Sequence, residues 1–158
     1  MAKGLVVYYS RTGNTEQMAG IISESMNASG LSTECKSIDK TSVADLLTAD
    51  AIVVGSPTYY GLMSFEIKKL FDDSVSKHGQ LDGKIGAAFS SSANVGGGNE
   101  TTIMAILQMM LIHGMTIQGD AKRDHYGPVS IGKPDARVES LCKRQGQRIA
   151  DLAKKLKK

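Results

Sequence analysis

Leu5-Val6-Val7-Tyr8-Tyr9-Ser10-Arg11-Thr12-Gly13-Asn14-Thr15 decides the fold of this chain. Its first half is a continuous apolar run, which fits a strand buried on both faces, as in a parallel sheet. Its second half leads into a helical pattern that starts near Thr15. In an open α/β sheet, ligands bind at such a junction between a strand's carboxyl end and a helix N-terminus. Ser10, Thr12 and Thr15 bring hydroxyls, Asn14 an amide and Gly13 an unhindered backbone. The helix start adds unpaired N–H groups and the positive end of its dipole. The stretch reads as a phosphate cup. It has no Lys where a nucleoside-triphosphate loop needs one, and it lacks the G-x-G-x-x-G spacing. A phosphate held without a strong cation points to a monoester on a tightly bound cofactor.

Strand and helix patterns alternate outward from this point. Residues 3–9 are the first strand. Residues 15–29 are a helix with Met18, Ile21, Ile22, Ser25 and Met26 on one face, ended by Gly30. Residues 31–37 make a more polar strand, suited to a sheet edge. A short helix runs from Val43 to Leu47 behind a Thr41-Ser42 cap. Ala51-Ile52-Val53-Val54-Gly55 is the clearest buried strand. Ser64 starts a helix over 64–77, and Lys84 to Phe89 is the fourth strand. Asn99 to His113 is an apolar helix ending at Gly114. Met115 to Gln118 opens a fifth strand. A long loop follows over 119–135, in which Val129-Ser130-Ile131 extends the interrupted strand. The last helix starts at Asp135-Ala136, with Val138, Leu141, Gln145, Ile149, Leu152 and Leu156 recurring on one face. Five βα units without a composition break predict one doubly wound α/β domain over 1–158.

Composition narrows the function. The chain has 158 residues, 41% hydrophobic, with a net charge of +3. No apolar run is long enough to span a membrane, and Met-Ala-Lys-Gly does not open a signal peptide. This predicts a cytoplasmic protein with no membrane insertion. Cys35 and Cys142 stand far apart and read as reduced packing residues. Three His and no His/Cys cluster give no expectation of a metal site. Lys154, Lys155, Lys157 and Lys158 close the chain without interleaved aromatics. They read as solvated helix-end charges, not as a nucleic-acid patch.

Two further loops follow buried strands. Gly55-Ser56-Pro57-Thr58-Tyr59-Tyr60-Gly61-Leu62-Met63 offers flat aromatic faces and a stiffening Pro, as a planar heterocycle requires. Ser90-Ser91-Ser92-Ala93-Asn94-Val95-Gly96-Gly97-Gly98-Asn99-Glu100 lets backbone N–H groups approach a ligand closely. Paired tyrosines are often packing, and Gly-rich loops are often mere connections. Three specialised loops at the three expected strand ends make the joint case.

MAKGLVVYYSRTGNTEQMA, SPTYYGLMSFEIKKLFD, FSSSANVGGGNETTIMAILQMMLIHGM and HYGPVSIG, in this order, resemble the motifs of flavodoxin-fold FMN proteins. They are most similar to the WrbA type of NAD(P)H:quinone oxidoreductase. The resemblance covers most of the chain. It implies a flavodoxin-like five-stranded parallel sheet of order 2-1-3-4-5 with helices on both faces, and FMN as cofactor. It places Ser10, Arg11, Thr12, Gly13, Asn14 and Thr15 on the phosphate. Pro57, Thr58, Tyr59, Tyr60 and Gly61 would border the isoalloxazine. Ser91, Ser92, Asn94, Val95, Gly96 and Gly97 would contact its other edge and the ribityl chain. His113 matches a family histidine near the flavin, and also reads as a helix C-terminal His that stabilises the dipole. Tyr126 matches a late-loop aromatic.

Two departures divide the activities that the resemblance implies. The quinone reductases carry an insertion after the second strand, linked to tetramer assembly, and residues 38–50 are too short for it. They also have a Trp after the third helix, where this chain has Lys77-His78-Gly79. Both departures favour a flavodoxin-like electron carrier over turnover of NAD(P)H and quinone, as a monomer or dimer. Lys68, Lys69, Lys77, Lys122 and Arg123 predict a basic rim that steers acidic redox partners, such as a ferredoxin-like protein or a redox enzyme. A response regulator would need acidic residues where Ser10 and Gly55-Ser56 stand. A small tyrosine phosphatase would need a Cys in place of Ser10. A purely regulatory FMN-binding module is the remaining rival.

Overall fold

The computed structural model describes residues 1–156; Lys157 and Lys158 of the lysine cluster lie outside the described residues. The strands are β1 (Lys3–Tyr8), β2 (Ser32–Ser37), β3 (Ala51–Pro57), β4 (Ile85–Ser92), β5 (Thr116–Ile117) and β6 (Val129–Ile131). They form one parallel sheet of order β2-β1-β3-β4-β5, with β6 also on β4. The order expected from the sequence is therefore present, and its fifth place is shared. β5 pairs with Ile85 and Gly86 at the start of β4, and β6 with Ser90, Ser91 and Ser92 at its end. The chain leaves the sheet between them. The helices are α1 (Asn14–Ala28), α2 (Val43–Thr48), α3 (Phe65–Asp73), α4 (Asn99–Ile112) and α5 (Ala136–Leu156).

Alternate side chains of each strand point to opposite faces, so the sheet builds two cores. Leu5, Val7, Ile52 and Val54 meet Ile67, Phe71, Ile103 and Ile106 under α3 and α4. Val6, Ala51, Val53 and Phe89 meet Met18, Ile22, Met26, Cys142 and Ile149 under α1 and α5.

Several boundaries differ from the sequence reading. β3 and β4 run past Gly55 and Phe89, because Ser56 still pairs with Ser90 and Pro57 with Ser91. These small residues look like loop in sequence, yet Ser56 and Ser90 are fully buried between neighbouring strands. Gly55 is a space for its neighbour: a Cβ there would stand 2.1 Å from the Phe89 ring. α3 stops at Asp73 and continues as a 3-10 turn over Ser74–Lys77.

The buried face of α5 includes Cys142, Gly146, Ala150 and Ala153, while Leu156, expected on that face, is exposed. Small residues bring α1 close: a Cβ on Gly146 would lie 2.6 Å from the Ile22 carbonyl oxygen. The Ser25 hydroxyl donates to the Lys143 carbonyl across this contact at 2.6 Å. Cys142 packs as expected. Cys35 does not; it is exposed on β2, an edge strand with only β1 beside it. No helix of the described residues is long and apolar enough to cross a membrane.

Candidate functional site

The loops after β1, β3 and β4 meet at the carboxyl edge of the sheet. Gly13, with φ 92°, sits before α1 in the left-handed region that a glycine adopts without strain. A Cβ there would meet nothing within 4 Å, so the mouth of the cup is open. The Gly13 N–H donates to the Ser10 hydroxyl oxygen at 3.1 Å, which leaves the Ser10 proton for a ligand. The helix ladder begins with the Gln17 N–H on the Gly13 carbonyl at 2.9 Å. Asn14, Thr15 and Glu16 N–H groups therefore precede the ladder and face an incoming anion. Thr15 is buried and its hydroxyl meets that of Ser91 at 2.9 Å, tying the cup to β4. Thr12 and Arg11 are exposed. Arg11 borders the same surface groove as Tyr9 and Tyr59.

The second loop closes on itself. Tyr59 and Leu62 exchange backbone hydrogen bonds at 2.9 and 3.0 Å around Tyr60 (φ 50°) and Gly61 (φ 79°). Two left-handed residues in succession make a tight hairpin that holds Tyr60 fully in solvent. The Tyr59 ring rests edge-on against Tyr9, centroids 6.2 Å apart. The Thr58 N–H donates to the Ser91 carbonyl at 2.8 Å, and the Thr58 hydroxyl meets that of Ser90 at 3.0 Å. Buried Ser56 accepts the Ser64 N–H at 2.8 Å and fixes the loop's exit into α3. Outside the hairpin, α3 and α4 flank an open groove of roughly 820 Å³, lined by Tyr59, Leu62, Phe65, Met109 and Ile112.

The third loop folds over Ser92, whose hydroxyl donates to the Asn94 carbonyl at 3.0 Å, and turns at Gly97. Val95 is exposed at its tip. Gly98 then presses on the second loop: a Cβ there would stand 2.7 Å from the Cα of Gly61. The Thr101 hydroxyl bonds the Gly61 carbonyl at 2.7 Å. The three loops thus form one tied body, with anion donors at one end and exposed Tyr60, Leu62 and Val95 at its rim. This combination fits a ligand with a phosphate and a flat apolar ring.

His113 is not brought to these loops. It caps the C-terminus of α4, a helix about 20 Å long whose N-terminus carries the third loop. It is buried, and its Nε2 meets the Ser74 hydroxyl at 2.9 Å. That hydroxyl donates to the Phe71 carbonyl at 2.7 Å, so Nε2 carries the proton. Nδ1 is buried with no partner. Burial, and secondarily His78, push the His113 pKa down, which favours a neutral ring over a charge at the helix end. Tyr126 is half-exposed beside Asn99 and Glu100 at the start of α4, next to the third loop.

The expected basic rim is weaker than its lysine count. Lys68 pairs with Asp72 and Lys69 with Asp73, each at 2.5 Å, one helical turn on. Lys77 lies on the turn after α3, at the end of that helix remote from the loops. Lys122 and Arg123 remain exposed on the excursion between β5 and β6.

Sequence reading missed what anchors that excursion. Arg144 grips the Asp120 carboxylate at 2.5 and 3.0 Å, with Arg148 at 3.7 Å. Hydrogen bonding to Arg144 is the main cause that holds Asp120 well below the usual carboxylate range. Arg137 bonds Asp124, which also accepts the Val129 N–H at 3.0 Å. The i, i+4 spacing of Arg144 and Arg148 was visible; their shared partner was not.

The Flavodoxin family model matches residues 6–103. A flavodoxin of Aquifex aeolicus is 41% identical over 160 positions, covering 96% of this chain and 86% of its own length. An NAD(P)H dehydrogenase (quinone) of Archaeoglobus fulgidus is 30% identical over 190 positions, covering 99% of this chain and 100% of its own. A solved flavodoxin from the domain Archaea is 32% identical with a TM-score of 0.81, covering 96% of this chain and 99% of its own.

Proposed function

The chain belongs to the flavodoxin family, and from that we propose a cytoplasmic electron-transfer protein that shuttles electrons between redox partners through a tightly bound FMN. The observation that carries this reading is the tied body of three loops, open at the helix start and apolar at its rim. FMN, when bound, supplies one- and two-electron chemistry. The chain supplies position and environment. Ser10, Thr12 and the N–H groups from Asn14 to Glu16 would hold the phosphate, with Gly13 shaping the turn and exposed Arg11 beside it. Pro57, Thr58, Tyr59, Tyr60 and Gly61 border one side of the ring. Ser91, Ser92, Asn94, Val95, Gly96 and Gly97 take its other edge and the ribityl chain. Hydrogen bonds between the Thr15 and Ser91 hydroxyls, from the Thr58 N–H to the Ser91 carbonyl, and between the Thr58 and Ser90 hydroxyls keep these segments in one geometry. No step asks a side chain to act as acid or base.

A second reading, NAD(P)H:quinone oxidoreductase, rests on the Archaeoglobus relative. Its alignment needs 190 positions against this chain's 158 residues, whereas the Aquifex flavodoxin needs 160. The shorter form favours the carrier. The test is anaerobic: load the protein with FMN, add NADH or NADPH, and follow the oxidised flavin band. A band that persists until a chemical or protein reductant is added is the expected result. Fast bleaching by the nucleotide, reversed by a quinone, would overturn it.

A further inference from the structure

The geometry points to Thr101 as a positioning residue that aims the Gly61 carbonyl, and with it the tip of the second loop. This rests on the reading of the three loops as the FMN site.

A hydroxyl has one proton to give. Thr101 Oγ1 stands 2.7 Å from the Gly61 carbonyl and 2.8 Å from the Gly98 carbonyl. The Gly98 carbonyl is already crowded. It accepts the Thr102 N–H at 3.0 Å and lies 2.9 Å from the Thr102 hydroxyl. The Thr102 hydroxyl also stands 3.1 Å from the Thr58 hydroxyl, so its one proton is shared between two acceptors, but the Gly98 carbonyl keeps the Thr102 N–H in either case. The Thr101 proton is therefore worth most on Gly61, which no other described donor serves.

The contact also sits where the chain is under constraint. Tyr60 holds a left-handed φ of 50° without being glycine. Gly61 is wedged against Gly98. The tie joins the first turn of α4 to the hairpin across 40 positions of sequence. It turns the Gly61 carbonyl toward α4, so that the tip presents its other atoms to the ring.

The test compares wild type with Thr101→Val, which keeps the shape and removes the donor, and Thr101→Ser, which restores it. Two readouts are taken after circular dichroism shows each variant folded. In the FMN-free chain, the amides of Tyr59 and Leu62 should exchange with solvent roughly fivefold faster in Thr101→Val, the worth of one net hydrogen bond. In the FMN-loaded chain, the midpoint potential should also move; a fivefold change in the ratio of the affinities for oxidised and two-electron-reduced FMN reads as about 20 mV at 29.6 mV per decade. Thr101→Ser should match wild type in both. Unchanged exchange would overturn the tie, and an unchanged potential would overturn its bearing on the cofactor. A wild-type chain that binds no FMN would sink the proposed function, while the exchange data would still decide the tie.

Discussion

On one face of the sheet α1 and α5 lie so close that a single added carbon at Gly146 would strike the Ile22 backbone. On the other, α3 and α4 leave a groove, and Phe65 and Ile112 stand 70% and 73% exposed beside it. The same strands supply both faces, so the difference comes from the helices. The tight face is built from small residues that let backbones approach and from large ones that fill what remains. The open face carries a helix with no charged side chain from Thr101 to Ile112, yet part of it meets solvent. A closed scaffold and an open edge are thus divided between the faces. The first fixes where the strand ends stand; the second borders the hairpin between Tyr59 and Leu62.

The comparison breaks most sharply at Gly146. Gly146→Val should cost about 2–4 kcal/mol in chemical denaturation, because the colliding partner is backbone that cannot swing aside. A cost under 1 kcal/mol would mean that the two helices slide apart freely. Gly55→Ala should cost about 1–3 kcal/mol through the displaced Phe89 ring. Combining it with Phe89→Leu should recover part of the loss, read as a coupling energy in a double-mutant cycle.

On the open face the strongest response should be to pH. His113 resists protonation when folded, whereas the unfolded chain takes up the proton near the ordinary histidine range, about 6.5. The unfolded state then binds more protons, so stability should fall as pH drops from 7 to 5. His113→Gln should flatten that slope; an unchanged slope would assign it to other groups. Least of all, Phe65→Ser and Ile112→Ser should each change stability by no more than about 0.5 kcal/mol, since both side chains are already in water. A larger loss from either would show that the groove face is packed after all.

Much of this was legible in the chain. Leu5 to Thr15 gave the strand, the turn and the helix start, because a fully apolar run followed by hydroxyls and glycine has few other solutions. The interruption of the fifth strand was also readable, since the gap between Gln118 and Val129 is rich in residues that a strand rejects. The closing face of α5 was not. Gly146, Ala150 and Ala153 carry little hydrophobic signal, and only the proximity of α1 makes them core. The ends of β3 and β4 were hidden for a related reason: serines between two strands look the same in sequence as serines in a loop. The basic rim was overread, although Asp72 and Asp73 stood four residues from Lys68 and Lys69 in plain view.

The divided fifth strand also bears on aggregation. A long unpaired border is a template for another chain. Here one border is β2, short and exposed, with Glu34, Lys36 and other polar side chains along it. The opposite border is two fragments of two and three residues with a clamped excursion between them. A foreign strand would find charge along one margin and a broken ladder along the other. A sheet this apolar at its centre thus stays closed to addition, and an uninterrupted fifth strand would remove half of that protection.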